Sequence, residues 1–217
     1  MRRFIAFSEQ IVRIFDTIKG IMNVKGETRV KILLLDGTVF KGKTTAVLQQ
    51  VQKYLDEMDT DFEFELVSLG DAEHAIVDGR PFEEYPESMQ EVVTKIQEAD
   101  GYIIASPIFQ GSIPGVLKNI FDMLHPRAMR YKPVSMIGNG GTYQHHLVVE
   151  GQLKPILDYF RCLVTPNYVY THRDHFNENN EIIDEDVHDR LREMARVFVE
   201  YAKMSKVLQP SEPLDKQ

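Results

Sequence analysis

Short apolar runs alternate along the chain with longer stretches in which apolar positions recur every three or four residues. Such runs are typical of strands, and the longer stretches are typical of amphipathic helices. The predicted strands are Val30–Leu35, Phe62–Leu69, Tyr102–Ser106, Val134–Gly138 and Val164–Thr171. The predicted helices are Thr44–Met58, Glu87–Ala99, Pro114–Leu124, His145–Phe160 and Asp186–Ser205. This alternation predicts an α/β fold in which a five-stranded, doubly wound parallel sheet carries helices on both faces.

The order of the elements also predicts where a ligand would bind. The first, third and fourth predicted strands are continuous apolar runs, as expected for parallel strands buried on both faces. Open parallel sheets bind their ligands beyond the carboxyl ends of the strands. A ligand site is therefore expected in the loops that follow these three strands.

The predicted domain covers residues 29–207, with an extension before it and a tail after it. The tail, 208–217, is polar and contains two prolines, so we expect it to be disordered. Residues 1–28 are expected to form an amphipathic extension that docks on the domain or on a partner. Membrane-surface binding is a lesser alternative, and a true start at Met22 is a third. The helical spacing of this extension is carried by Ile11, Ile14, Phe15 and Ile18.

Composition narrows the class of protein. The 217 residues carry a formal net charge of −8 and no dense block of lysine and arginine, so we expect no nucleic-acid partner. No segment is apolar over a length that would cross a bilayer, so we expect no membrane span. The single cysteine, Cys162, stands in an apolar context and is expected to be a core thiol. These features favour a reducing, cytoplasmic location.

The first loop, DGTVFKGKTT from Asp36 to Thr45, satisfies the Walker A pattern of nucleotide-binding loops. Its glycines permit a tight backbone, and the start of a helix follows it. The loop therefore predicts a phosphate cradle, with a plain turn capped by threonine as the alternative. The side chains that could contact the phosphate are Thr38, Lys43, Thr44 and Thr45.

The second and third loops have a different character. Pro107–Ser112 is apolar and aromatic, which suits a flat ring system, although a hydrophobic loop leading into a core helix explains it as well. The third loop begins with Gly140 and Gly141, whose backbone N–H groups would lie at the same sheet edge. Tyr143 follows them and could stack on a ring. His145 and His146 are adjacent residues that rarely share one metal ion, so a metal site is not predicted here.

A triphosphate does not fit this arrangement. Nucleoside triphosphatases hold Mg²⁺ through an acidic residue at the end of a second apolar strand. Here the later strands end in Ser106-Pro107 and Gly138-Asn139, and bulky Val39 and Phe40 occupy the middle of the first loop. The loops instead predict one terminal phosphate and a flat ring, which together make a mononucleotide such as FMN.

At this point the sequence resembles a known family, the NAD(P)H-dependent FMN reductases with a flavodoxin-like fold. It is most similar to the small reductases that supply reduced flavin to sulfonate monooxygenases. The resemblance extends over about Val30 to Lys206 and is most specific in SPIFQGSIPGVLKNIFDML, Ser106–Leu124. The segment GNGGTYQHHLVVEGQLKPILDYF, Gly138–Phe160, resembles the third flavin loop and its helix, whereas the first loop matches more loosely.

The resemblance implies particular contacts with the flavin. Thr38, Lys43, Thr44 and Thr45 would hold the FMN phosphate. The isoalloxazine ring would be bordered by Pro107, Ile108, Phe109, Gln110, Gly111, Ser112, Gly140, Gly141 and Thr142. Family members often carry Glu-Tyr-Asn where this chain has Ile108-Phe109-Gln110, which bears on ring polarity, potential and acceptor preference. Asp36 stands close to the phosphate loop, so either the helix dipole and Lys43 outweigh its charge or its side chain points away from a bound dianion.

The function implied is hydride transfer from NADPH or NADH to FMN, with no catalytic side chain nominated. The electrons would pass to free flavin or to quinone or azo acceptors. A homodimer or homotetramer is expected, with a flavin-dependent monooxygenase as a further partner. The alternatives are a Walker-type small-molecule kinase or NTPase, and an FMN electron carrier without efficient NAD(P)H turnover. Arg127 and Arg130 are candidates for the 2′-phosphate of NADPH, while His172 and His175 are expected to lie in a solvated loop without metal.

Overall fold

The computed structural model describes residues 29–208, and the centre of this part is a six-stranded sheet in the order β2-β1-β3-β4-β5, with β6 also paired to β4. The predicted parallel sheet is confirmed, with one correction. The predicted strand Val164–Thr171 is divided in two, because Pro166 has no N–H to continue the ladder. The strands are β1 Val30–Asp36, β2 Phe62–Ser68, β3 Gly101–Pro107, β4 Pro133–Gly140, β5 Leu163–Val164 and β6 Val169–His172.

Five α-helices lie within the described residues: α1 Lys43–Asp56, α2 Glu87–Glu98, α3 Gly115–Met123, α4 Lys154–Tyr159 and α5 Glu185–Leu208. The single helix predicted over His145–Phe160 is wrong. A 3-10 turn at Tyr143–His145 and a π-helix at Val149–Leu153 come before α4. Pro155 cannot donate to a preceding carbonyl, and Gly151 lowers the local helical propensity.

The helices cover both faces of the sheet. On one face, Leu33, Leu35, Tyr102 and Ile104 pack in a core that also contains buried residues of α2, α3 and α4. The other face meets α5, because a Cβ built on Gly101 would lie 3.0 Å from Ile32 Cδ1 and 3.3 Å from Phe198 Cζ. The doubly wound arrangement is therefore present.

The strand register places the three loops of interest side by side. Strands β1, β3 and β4 are neighbours and run parallel, with Asp36 opposite Ala105 and Pro107 opposite Asn139. Their carboxyl ends therefore lie at one edge of the sheet. The strand order runs from β1 to β2 on one side of the sheet and from β3 to β5 on the other, so a switch point lies between β1 and β3. Sheets of this order bind their ligands at that point.

The acidic connection Gly70–Pro86 is fixed to α3 by Asn119. The amide Nδ2 of Asn119 donates to Ala75 O at 2.8 Å, and its Oδ1 accepts from Val77 N at 2.9 Å. Between these two bonded residues Ile76 projects outward and is 82% exposed. The connection is thus anchored at its middle, with an apolar side chain at the surface.

The predicted amphipathic extension and the predicted disordered tail lie outside the described residues, apart from Leu208, which ends α5. Within residues 29–208, no helix combines the length and the apolar character needed to cross a membrane.

The anchor at Asn119 gives a first test. We expect Asn119→Ala to make the Gly70–Pro86 connection cut about fivefold faster by a glutamate-specific protease, because two backbone groups lose their partner and local opening becomes easier. The control is Lys118→Ala, which removes only an exposed pair with Asp122. Equal cleavage rates for both variants and the wild type, measured by mass spectrometry after Glu73, would contradict the anchoring role.

Candidate flavin site

The first loop is built on a buried carboxylate. Asp36 ends β1 and is 0% exposed; its Oδ1 accepts from Thr38 N at 3.1 Å and its Oδ2 from Thr45 Oγ1 at 2.5 Å. Gly37 N donates to Ala105 O at 2.8 Å, which fixes the loop to the neighbouring strand. The buried Asp36 carboxylate therefore joins the start of the loop to the first turn of α1.

Burial has a direct effect on the ionisation of Asp36. Desolvation raises its pKa above the ordinary value of 3.8, and the hydrogen bonds from Thr45 and from the Thr38 backbone partly offset the rise. Asp71 raises the pKa further and Lys41 lowers it, both more weakly. The donors that face the carboxylate thus hold a charge that its buried position disfavours.

Two of the predicted phosphate-binding hydroxyls already have partners in the loop. Thr45 Oγ1 donates a hydrogen bond to Asp36 and accepts one from Gly42 N at 3.3 Å. Thr38 Oγ1 donates to Phe40 O at 3.2 Å. Backbone N–H groups at the start of α1 remain available to bind a phosphate. The N–H groups of Lys43, Thr44 and Thr45 lie in the first turn of α1, where a helix supplies no acceptor.

This helix start has the electrostatics of an anion site. Gly42, at the N-cap position, has no side chain that could accept hydrogen bonds from the first-turn N–H groups. Those groups carry the positive end of the helix dipole. Lys43, the first residue of α1, adds an ammonium group, and its Nζ donates to Asn180 Oδ1 at 3.0 Å.

The second loop is a two-residue hairpin turn. Phe109 and Ser112 exchange backbone hydrogen bonds of 2.9 and 3.0 Å, with Gln110 at φ 50° and Gly111 at φ 75° between them. A two-residue turn in which both residues have positive φ favours glycine, because glycine adopts this conformation without steric cost. Ile108 N donates to Asn139 O at 2.9 Å, so the base of this loop is joined to the end of β4.

The third loop is held by a tyrosine from β6. Tyr170 Oη donates to Thr142 O at 2.7 Å, and its ring fills the space beside Gly140, where any Cβ would lie 2.0 Å from the hydroxyl oxygen. Asn139 Nδ2 donates to Thr171 Oγ1 at 2.8 Å. Gly140 is therefore required by the close approach of Tyr170, while Gly141 and Thr142 are exposed.

The π-helix joins the second and third loops. Ser112 Oγ donates to Gln152 Oε1 at 3.2 Å, and Gln152 lies in the π-helical segment Val149–Leu153. Short π-helical segments often occur at functional sites, where they redirect a side chain. The predicted ring-binding residues thus lie on two loops that are connected by the Ile108–Asn139 and Ser112–Gln152 hydrogen bonds.

The sequence reasoning missed three residues that organise these loops: Tyr170, Gln152 and Asn180. Tyr170 was included in a predicted strand, and Gln152 in a predicted helix, without a role. The pairing of Asn180 with Lys43 spans 137 residues, so local spacing gives no sign of it. Only the position of Tyr170, one strand from the predicted site and opposite Gly138, follows from the topology.

Aromatic and imidazole rings surround the third loop. Tyr143 and His146 are stacked with ring centroids 4.6 Å apart, and Tyr143 meets His172 edge-on at 6.3 Å. His172 and His175 lie 3.9 Å apart, and burial, together with the neighbouring imidazole, lowers the pKa of His175. Within residues 29–208, no group of three or more potential ligands could hold a metal ion.

The arginines suggested for the 2′-phosphate of NADPH are not at this edge of the sheet. Arg127 and Arg130 precede β4, which begins at Pro133, so they lie at the amino end of that strand. The guanidinium of Arg130 donates to Tyr131 Oη at 2.9 Å. Contact between these arginines and the 2′-phosphate of NADPH therefore stays a prediction, and it would have to be made away from the carboxyl edge of the sheet.

The buried carboxylate predicts a specific pH dependence. Because folding raises the Asp36 pKa, the folded state holds a proton that the unfolded state releases near pH 3.8, so the free energy of unfolding falls as pH rises through this window. We expect Asp36→Asn to lack this decline. Urea unfolding between pH 3.5 and 7 gives the free energy of unfolding of the wild type and of Asp36→Asn. The difference between the two isolates Asp36, because all other groups titrate in both proteins. A difference that does not vary with pH would refute the assignment.

Comparisons with known proteins identify the family of the chain. Residues 30–176 match the family model described as NADPH-dependent FMN reductase. The chain is 43% identical over 166 residues to a NAD(P)H-dependent FAD/FMN reductase of Geobacillus thermodenitrificans, covering 76% of this chain and 90% of that protein. It is 30% identical over 141 residues to the NADH-dependent FMN reductase SfnF of Pseudomonas fluorescens, covering 65% of this chain and 75% of that protein.

Solved structures agree on the fold. The apo form of an NADH:FMN oxidoreductase, EMOB, superposes with a TM-score of 0.61 at 21% identity, covering 85% of this chain and 92% of that one. The shared architecture is the flavodoxin-like sheet predicted from the sequence. Because the family match extends over residues 30–176, the chain belongs to the NADPH-dependent FMN reductase family.

Proposed function

We propose that this protein transfers hydride from NADPH or NADH to FMN bound at the carboxyl edge of β1, β3 and β4. The observation that carries the proposal is the start of α1, which has N–H groups without a side-chain cap from Gly42 and a lysine beside them. It lies next to two loops suited to a flat ring. The family relationship supports the same cofactor and donor.

The residues present fit the FMN phosphate. The first-turn N–H groups of Lys43, Thr44 and Thr45 would donate to it, together with the Lys43 ammonium. Thr45 and Thr38 contribute chiefly by fixing the conformation of the loop, since their hydroxyl groups donate hydrogen bonds to Asp36 and to Phe40 O. The Asp36 carboxylate accepts hydrogen bonds from its own donors, Thr38 N and Thr45 Oγ1.

The residues around the ring fit a flat ligand. Pro107–Ser112 and Gly140–Thr142 would border it, and the exposed Phe109 and Tyr143 offer apolar surface. FMN, when bound, supplies the electron-accepting ring, so the protein needs only to orient the donor and exclude water. No side chain of this chain is assigned a proton-transfer or covalent role.

The exposed surface around the site supports an oligomer. Phe40 is 79% exposed and Tyr143 and Leu147 are each 62% exposed, all on the loops that surround the site. A second copy of the chain would cover these apolar side chains and complete the pocket, so a homodimer or homotetramer is proposed.

The electron acceptor would be free flavin or a quinone or azo compound. A flavin-dependent monooxygenase would be a further partner, in the cytoplasm.

Reduction of the flavin can be observed directly. The purified protein with FMN is titrated anaerobically with NADPH and, separately, with NADH. We expect the visible flavin bands to bleach, with one nicotinamide oxidised per flavin, and the faster donor to define coenzyme preference. Retention of the oxidised spectrum with both donors, despite FMN binding, would favour an electron carrier. Failure to bind FMN would overturn the proposal.

The first loop allows a matched pair of glycine variants. A Cβ on Gly37 would lie 2.9 Å from both Ala105 O and Leu117 Cδ2, whereas one on Gly42 would lie no closer than 3.9 Å to Phe40 O. We expect Gly37→Ala to raise the FMN dissociation constant by about tenfold or more, because displacing the loop costs about 1–3 kcal/mol. Gly42→Ala should bind nearly as the wild type does. Fluorescence quenching of FMN measures both, and equal affinities would contradict the predicted loop.

A further inference from the structure

A tight hairpin follows β6 and reaches back to the first loop. Phe176 and Ile182 form an antiparallel bridge, and Asn177 N donates to Glu181 O at 3.0 Å. The Asn177 side chain closes the turn from inside: its Oδ1 accepts from Asn179 N and Glu181 N, both at 2.9 Å. The hairpin, residues 176–182, is therefore a defined structure.

Asn180 occupies a conformation that few residues adopt. Its φ is 61°, in the left-handed region, and its N–H donates to Asn177 O at 3.1 Å. Asparagine tolerates this region better than other non-glycine residues do. The turn directs the Asn180 side chain toward α1, where its Oδ1 accepts from Lys43 Nζ at 3.0 Å.

The hairpin contacts the lysine a second time. Lys43 Nζ lies 5.8 Å from the centroid of the Phe176 ring, a distance at which the ring face attracts a cation. Phe176 and Asn180 thus contact one ammonium group from the base and from the tip of the same hairpin. Lys43 is flexible by nature, so two contacts from a defined turn restrict where its charge lies.

The partner of Lys43 is neutral, in contrast to that of the other lysine of the loop. Lys41 is exposed and forms a salt bridge with Asp71 at 3.3 Å. Lys43 takes part in none of the salt bridges formed within residues 29–208. An amide oxygen fixes the position of an ammonium group without neutralising it. The full charge of Lys43 therefore remains available at the start of α1.

We propose that Asn180 is a positioning residue for the flavin phosphate, acting through Lys43. This inference rests on the proposed function, since it takes Lys43 as a phosphate contact. The hairpin 176–182 then belongs to the phosphate site, although it lies far from the first loop in sequence. Asn180 favours ligands that carry a terminal phosphate, and has no effect on the affinity for the ring.

Two substitutions at Asn180 separate position from charge. Asn180→Gly keeps the left-handed backbone and removes the acceptor, so Lys43 becomes mobile. Asn180→Asp keeps an acceptor but pairs Lys43 with a carboxylate, which opposes a phosphate dianion. Asn179→Gly is the matched control, because Asn179 is exposed at the same turn and its side chain is not part of the contact with Lys43.

The experiment compares FMN with riboflavin, which lacks only the phosphate. Dissociation constants are measured by flavin fluorescence for the full-length wild type and the three variants. We expect Asn180→Gly to raise the FMN constant about five- to tenfold, as for loss of a hydrogen bond to a charged group, and Asn180→Asp to raise it at least as much. Riboflavin constants should change less than twofold in each, and Asn179→Gly should match the wild type for both ligands.

A double-mutant cycle tests the route through Lys43. In a Lys43→Met background, Asn180→Gly should change the FMN constant by less than twofold, because the group it positions is gone. Unchanged FMN affinity in Asn180→Gly would overturn the inference, as would an equal loss for FMN and riboflavin, which indicates general disruption. A wild type that binds neither flavin would instead overturn the proposed function itself.

Discussion

The hydrogen bond from Thr45 to Asp36 joins the two structures on which the site depends. Asp36 is the last residue of β1, and Thr45 lies in the first turn of α1, so one bond of 2.5 Å fixes the helix start to the strand end. The same carboxylate accepts from Thr38 N, in the loop between them. The six residues that separate Thr38 from Thr45 are thereby held in one arc. A buried acid is costly unless its oxygens are bonded, and here the loop itself supplies the donors.

This arrangement places a negative charge close to the proposed anion site. Asp36 accepts hydrogen bonds from its own donors, Thr38 N and Thr45 Oγ1, whereas the first-turn N–H groups of α1 carry the positive end of the helix dipole. Lys43 adds a charge at the same end, and its known partner is the neutral Asn180. The hydrogen bonds from Thr38 and Thr45 therefore stabilise the Asp36 carboxylate, and the N–H groups at the helix start remain available to the proposed ligand.

Much of the fold could be predicted, because it depends on local patterns. The apolar runs located β1, β2, β3 and β4 to within two residues, and alternation with helices implied the parallel sheet. The failures have specific physical causes. The last predicted strand is interrupted at Pro166. One predicted helix is instead a π-helix followed by a short α-helix, in the segment that contains Gly151 and Pro155. For the site, the glycines and hydroxyls after the strands predict three loops, and the structure brings these loops to one edge of the sheet. The contacts of Asn180, Gln152 and Tyr170 depend on tertiary structure, which the spacing of residues along the chain does not encode.

The ring side of the site depends more on backbone than on side chains. The second loop has its shape from positive φ at Gln110 and Gly111 and from the bond between Ile108 N and Asn139 O. None of these features requires the acid or the phenol hydroxyl that similar reductases often carry where this chain has Ile108 and Phe109. The loop can therefore keep its form when Phe109 changes, since this side chain is half exposed, whereas Ile108 packs against the core. A substitution at Phe109 would alter the polarity beside the proposed ring site without disturbing the first loop.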